Sequence, residues 1–315
     1  MRRRDFIAAL GGAAACPVVA LAQPRDQTKR IAFVSSFRVV EPVFTQELAR
    51  LGWVEGRNAR IETLLEDYRA VRAAAPFLVA TAPDLLVVVG TENARTFKEL
   101  TDTIPIIFAF VADPIAINLV KNLAHPGGNL TGFSHLPHSS LAGKWLNLLT
   151  DLVPRIDRVM VLYDPAHAIF VSMLQEAAPK LNVMIHPALP TAIADAEREI
   201  EIFARDPGSG MMVVPYDLTI RERETIVRLA ARHRLPTIYA SDLFTAVGGL
   251  VSYGPDTADI SRNVARYADR ILRGAKSADL PVQAPTRFRL VINAKVAMAL
   301  GLTVPPTLIA DEVIE

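Results

Sequence analysis

Short runs that are apolar at nearly every position alternate along this chain with longer stretches in which apolar residues return every three or four positions. Residues 85–90 read LLVVVG and 211–215 read MMVVP. Such runs fit strands buried on both faces, as in a parallel sheet covered by helices. The stretches between them have helical spacing, and this alternation builds βαβ units. A first series predicts strands at 31–35, 59–64, 85–90, 106–111 and 130–133, with helices at 43–51, 69–80, 94–102 and 116–124. A second predicts strands at 159–163, 183–186, 211–215, 237–239 and 250–252, with helices near 170–181, 192–204 and 222–234. The fold class is therefore α/β, as two doubly wound, Rossmann-like lobes of similar size.

The end of the chain does not fit two simple beads. Residues 251–255 lead into a predicted helix at 258–272, stopped by Gly274. Then come a proline-rich extended stretch (280–285), a strand-like 288–292 and a short helix at 294–300. Proline disfavours a helix interior and stiffens extended chain, so such segments suit crossings between lobes. Several crossings together make a multi-segment hinge on which two rigid bodies close over something small.

The first 22 residues break the pattern. Arg3 and Arg4 precede a charge-free apolar run from Phe6 to Ala15, and Ala20-Leu21-Ala22 supplies a small-x-small cleavage site. A bilayer span needs about 20 apolar residues, more than this run holds. The segment reads as an export signal, its paired arginines favouring the Tat route, with a periplasmic destination. The single cysteine, Cys16, lies inside it. Ala13-Ala14-Ala15 lacks the large aliphatic residue of a lipoprotein site, so the reading is cleavage after Ala22, without a lipid anchor. The mature chain then has no thiol for a disulfide, a nucleophile or a metal.

Removing the leader takes away three Arg and one Asp, leaving 31 basic against 32 acidic side chains. That balance offers no polycationic surface for nucleic acid or anionic lipid. No later stretch approaches bilayer length without charge, so a soluble mature protein is expected.

In open α/β sheets ligands bind at the carboxyl ends of strands. Several predicted strands end there in polar residues: Ser35-Ser36, Thr91-Glu92-Asn93, Asp113-Pro114, Asp164-Pro165, Tyr216-Asp217 and Ser241-Asp242. Asp before Pro is also an ordinary helix N-cap, compatible with a second role in a cleft. Helix N-termini suit a carboxylate, and acidic side chains at the same rim suit an ammonium. Tyr216, Tyr239 and Tyr253 could add flat apolar surface with a polar tip. Together these features fit a small polar or zwitterionic ligand better than a large cofactor.

Catalytic patterns are weaker. None of the six histidines forms a helical metal pair, and His135 and His138 are interrupted by Pro137. No GxSxG elbow is present. The run 127–132, GGNLTG, lacks both the GxGxxG spacing and a Walker lysine, and reads as a turn entering a strand.

From Arg30 to its end the chain resembles the exported substrate-binding proteins of ABC transporters, in the group of tryptophan- and tyrosine-type solute receptors. The resemblance rests on LGWVEGRN at 51–58, ADP at 112–114, HPGGNLTG at 125–132, GGLVSYG at 248–254, ADLPVQ at 278–283, VIN at 291–293 and ALGLTVPP at 299–306. It implies a type I periplasmic binding fold with three crossing segments, no catalysis, no cofactor, a small-molecule solute and an ABC permease in the inner membrane as partner. Lobes of 31–136 plus 254–278 and of 137–253 plus 279–310 follow from it. It also implies ligand-binding positions at Ser35, Ser36, Thr91, Glu92 and Asp113 in the first lobe. The second lobe would supply Asp164, Tyr216, Asp217 and Ser241, with Ser134 and Tyr253 near the crossings. Glu92 stands where many relatives are smaller, and Asp164 replaces a common asparagine, which turns a neutral contact anionic. Two other readings stay open: a sensory receptor using the same trap for a signalling partner, and a nucleotide- or sugar-using enzyme on the same scaffold.

Overall fold

A computed structural model describes residues 28–36, 40–135 and 140–315. The predicted leader, with Cys16 and the Ala20-Leu21-Ala22 site, lies outside the described residues, as does His138.

The first sheet is wholly parallel, in the order β2-β1-β3-β4-β5. Its strands are β1 (Lys29–Ser35), β2 (Ala59–Leu65), β3 (Leu85–Val89), β4 (Ile106–Val111) and β5 (Leu130–Ser134). Helices α1 (Val40–Arg50), α2 (Tyr68–Ala80) and α3 (Thr91–Leu100) connect them. Every residue of β3 is buried, because helices cover both faces of the sheet.

The predicted helix at 116–124 does not form; the chain makes successive turns instead. Asp113 Oδ1 accepts the N–H groups of Ile115 and Ala116, at 3.0 and 2.9 Å. Asn118 then takes φ 56°, and Leu119 and Val120 both donate back to the Pro114 carbonyl. A left-handed residue in the middle of the segment cannot propagate a right-handed helix.

The second sheet runs β12-β11-β10-β9-β8-β6-β7. Its strands are β6 (Arg158–Leu162), β7 (Met184–Ala188), β8 (Ser209–Val213), β9 (Thr237–Tyr239), β10 (Val251–Pro255), β11 (Phe288–Asn293) and β12 (Glu312–Ile314). Only the β10–β11 pair is antiparallel. The helices are α4 (Ser140–Leu152), α5 (Ala168–Ala177), α6 (Ile193–Phe203), α7 (Asp217–Arg221), α8 (Arg223–Arg232), α9 (Asp242–Thr245), α10 (Thr257–Leu272) and α11 (Ala294–Ala299). Strand β12 and the short α7 and α9 have no counterpart in the sequence reading, each too brief to set up a period; the 13-residue α4 was also missed, in the stretch between the two predicted series. Among the described residues no helix is long and apolar enough to cross a membrane.

Helix α10 follows β10 of the second lobe but packs on the first. Its buried stripe of Ile260, Val264, Ala265, Ala268 and Ile271 joins Phe33, Phe44 and Leu48 in one core. Asp256 caps it, accepting from Asp259 N at 2.9 Å, and Asp269 accepts the Trp53 indole N–H at 2.9 Å. The chain then stays on the first lobe. Leu280 and Val282 enter its two cores, and Gln283 bridges Phe133 of β5. The last crossing therefore follows Gln283, whereas the sequence reading passes to the second lobe at 279. With crossings between His135 and Ser140, at Pro255–Thr257 and after Gln283, three segments join two α/β lobes.

Gly254 stands at the second crossing, and a Cβ there would lie 2.2 Å from the Ala240 carbonyl oxygen. Backbone cannot step aside as a side-chain tip can. Gly254→Ala is expected to cost about 1–3 kcal/mol or more, read as a lower denaturation midpoint. An unchanged midpoint would mean that β9 and β10 separate easily here.

Candidate functional site

Strand order reverses between β1 and β3 in the first sheet and between β6 and β8 in the second. Ligands of doubly wound sheets settle at the carboxyl ends beside such switch points. Here the two switch points face each other across a cavity of about 170 Å3. A water needs roughly 10–15 Å3 on this scale, so the space suits a small solute.

The first lobe lines the cavity with Ser36 after β1, Val89 to Asn93 after β3, Phe110 in β4, His135 after β5, and Tyr68 opening α2. The second lobe adds Asp164 and His167 after β6, Pro215 to Asp217 and Ile220 after β8, and Ala240, Ser241 and Leu243 after β9. Pro255 and Thr257 close it at the second crossing.

Seven of the residues expected from sequence thus meet at one cavity: Ser36, Thr91, Glu92, Asp164, Tyr216, Asp217 and Ser241. Four stand outside its lining. Ser35 is buried at the end of β1. Asp113 spends Oδ1 on the turn described above. Ser134 donates to the Gln283 carbonyl at 3.5 Å, holding the strap rather than the cavity. Tyr253 stacks on Phe288 at 6.0 Å, while its carbonyl accepts the Trp145 indole N–H at 2.6 Å. Tyr239, also a candidate flat surface, is core, stacked on Phe244 at 4.8 Å. Asp164 plays both parts foreseen for it: it lines the cavity, and Oδ1 caps His167 N at 3.1 Å.

The aromatic wall was largely missed from sequence. Phe110 belongs to β4, whose run IIFAFV reads as continuous core. The β4–β5 register shifts between Ala109 and Val111, and Phe110 takes φ 56° at that bulge. Bulges redirect side chains, and a left-handed non-glycine residue marks a position held by its surroundings. Phe110 thereby turns into the cavity, 6.5 Å from the His135 ring. His135 in turn lies 5.6 Å from His167 of the other lobe, and His167 lies 6.2 Å from Tyr216. Phe170 backs both histidines, at 5.7 and 5.9 Å.

Polarity is arranged just as unevenly. Among the described residues, three carboxylates line the cavity (Glu92, Asp164, Asp217) and no lysine or arginine does. His167 Nδ1 pairs with Asp164 Oδ1. Glu92 reaches Arg95 at 3.5 Å and is half-buried. Asp217 Oδ2 holds Arg221 at 3.0 Å at the surface, and burial pushes its carboxyl above the ordinary range. Seven buried side-chain polar atoms among the described residues lack a hydrogen-bond partner, and five of them belong to residues that line this cavity. They are Asn93 Oδ1, both ring nitrogens of His135, Tyr216 OH and Asp217 Oδ1. Unpaired polar atoms are costly in a core, so their concentration here points to groups kept for a ligand.

Burial, with His167 beside it, pushes His135 down to about 3, against the weaker pull of the Phe110 backbone and Asp164. The neutral ring therefore favours folding at neutral pH. That stability is complete above the unfolded value of about 6.5 and is lost as pH falls toward about 3. The His135 contribution should be smaller by about 2 kcal/mol at pH 5 than at pH 7, seen in denaturant titrations. His135→Phe should flatten that dependence; an equal slope in both proteins would show that other groups carry it.

A family model described as ABC transporter substrate binding protein matches residues 42–313. The chain is 26% identical over 266 residues to a tyrosine-binding protein of Clostridioides difficile (strain R20291), covering 82% of this chain and 75% of that one. The crystal structure of the ABC domain in complex with L-Trp from Streptococcus pneumoniae superposes with a TM-score of 0.83 at 25% identity, covering 91% of this chain and all (100%) of the other. A conserved domain protein from Vibrio cholerae O1 biovar El Tor gives the same TM-score of 0.83 at 26% identity, over 91% of this chain and 99% of that one.

Proposed function

The chain belongs to the family of ABC transporter substrate binding proteins, and from that premise we propose that it is an exported receptor trapping an aromatic amino acid between its lobes. The observation that carries this reading is the lining itself: aromatic side chains from both lobes, three carboxylates and no basic side chain. An aromatic ring has surfaces to stack on at Phe110, Tyr216 and the histidines. An ammonium has acidic partners. A carboxylate has the open first turn of α3, where Gly90, at φ 98°, supplies no side-chain cap. The tyrosine and tryptophan named for the two relatives above belong to the same chemical class.

The trap works by differential contact. A solute touching both lobes binds the closed form more tightly than the open one, and only that difference drives closure. The three crossing segments bear the motion. The closed form is then offered to a permease in the inner membrane, and the solute leaves unchanged. Roughly micromolar affinity, about −8 kcal/mol, allows both scavenging and release. The reading of residues 1–22 as a twin-arginine leader supports the periplasm as the compartment of this cycle.

A thermal-shift screen against amino acids, small carboxylates, nucleosides and sugars tests the reading. A solute at 100 times its dissociation constant adds about 2.7 kcal/mol, a rise of a few degrees. Shifts confined to aromatic amino acids support the proposal. A shift with sugars or nucleosides alone would replace it.

A further inference from the structure

Three carboxylates line the cavity, and their surroundings differ. Glu92 is half-buried and already paired with Arg95. Asp164 Oδ1 already receives the backbone N–H and the ring nitrogen of His167. Asp217 keeps one oxygen, Oδ1, shielded from solvent and without a hydrogen-bond partner, while Oδ2 meets Arg221 outside. A shielded, unpaired anionic oxygen is the most demanding acceptor of the set.

The first lobe presents a second free acceptor beside it. Asn93 is 3% exposed, and its Nδ2 donates to Val89 O at 2.9 Å and to Ser36 Oγ at 3.3 Å. A carbonyl can only accept, so the Val89 contact fixes which way the amide points and leaves Oδ1 as the free atom. Asn93 Oδ1 is buried and unpaired. Ser36, which receives the Asn93 amide, lines the same cavity as Asp217. The two free oxygens thus belong to residues of one cavity lining, one from each lobe.

Two acceptors call for one donor-rich cation. We propose that the ammonium of a primary amine sits between Asn93 Oδ1 and Asp217 Oδ1 and is the group whose capture joins the lobes. An ammonium carries three N–H donors and no acceptor, so it satisfies both oxygens and neutralises the buried one. This rests on the amino-acid reading and sharpens it: the amine, not the carboxylate, is the indispensable part of the solute. Deaminated and N-acylated analogues, which lack the cation, should fail even with the ring intact.

Isothermal titration with two analogue sets tests this. L-Tryptophan and L-tyrosine are the parents; indole-3-propionate and N-acetyl-L-tryptophan lack the ammonium; tryptamine and tyramine lack the carboxylate. Against the wild-type protein, the ammonium-free compounds should bind weaker than the parent by about a hundredfold or more. Asp217→Asn should weaken the parent by a similar factor, while the melting temperature of the ligand-free variant stays level or rises because a partly buried carboxylate, disfavoured by its burial, gives way to a neutral amide. Arg221→Gln removes only the surface partner and should leave affinity within about threefold. Equal binding of indole-3-propionate and tryptophan, or Asp217→Asn within threefold of wild type, would overturn the proposal while leaving the receptor reading intact. If neither parent binds, the amino-acid reading fails, and the amines decide. Tryptamine or tyramine binding that Asp217→Asn abolishes upholds the ammonium site, and no binding of any amine overturns it. The analogue series on the wild-type protein stands even if the variant does not fold.

Discussion

Trp145→Ala is expected to cost the second lobe about 3–5 kcal/mol, a large share of the stability of any single domain. Trp145 is 1% exposed on α4 and stacks on Phe170 at 5.7 Å with a 20° interplanar angle. It is among the largest fully buried side chains of the described residues, so truncation leaves a cavity that surrounding strands cannot fill. Its indole N–H donates to the Tyr253 carbonyl at 2.6 Å, and that acceptor would be stranded. Because Phe170 also backs His135 and His167, the damage reaches the cavity wall. Chemical denaturation monitored by circular dichroism should show the loss. A change below about 1 kcal/mol would mean that α4 repacks freely, contrary to the tight core described above.

Tyr216→Ala is the second large effect, this time on affinity. The side chain is 8% exposed, faces the cavity and closes the aromatic line through His167. Loss of a central aromatic anchor costs about 2–3 kcal/mol of binding, a weakening of roughly 30- to 150-fold for an aromatic amino acid. The hydroxyl can be separated from the ring. Tyr216 OH is unpaired and burial raises its pKa, so it is present as a neutral donor. Tyr216→Phe should hold or improve ligand-free stability, and any affinity it loses reports a hydrogen bond to the solute. Wild-type affinity in Tyr216→Ala would remove the aromatic wall from the account.

Much of this site follows from chain pattern, and the boundary is physical. Strand ends are legible because polar residues after an apolar run have few places to go. Ser36, Thr91, Glu92, Asp164, Tyr216, Asp217 and Ser241 were found that way. Asn93 was read with Thr91 and Glu92 as a polar strand end but not as a ligand-binding position, and only its fixed amide singles it out. Phe110 was hidden inside IIFAFV, since nothing in an apolar run announces a bulge. His135 and His167 were tested as metal ligands, and their packing across the lobes needed the fold. Asp113 and Ser134 stand outside the cavity lining, because a polar residue at a strand end serves turns and straps as readily as ligands. At larger scale the two sheets were legible from the all-apolar runs. The final return to the first lobe was not, because the pairing of Gln283 with Phe133 is a backbone matter.

Equilibrium dialysis against radiolabelled L-tyrosine and L-tryptophan, with the retained solute recovered and identified, tests the central claim most directly. The account predicts about one molecule of one of them held per chain at roughly micromolar free concentration, and recovered chemically unchanged. No retention of either by a folded protein, or recovery of an altered product, would contradict it.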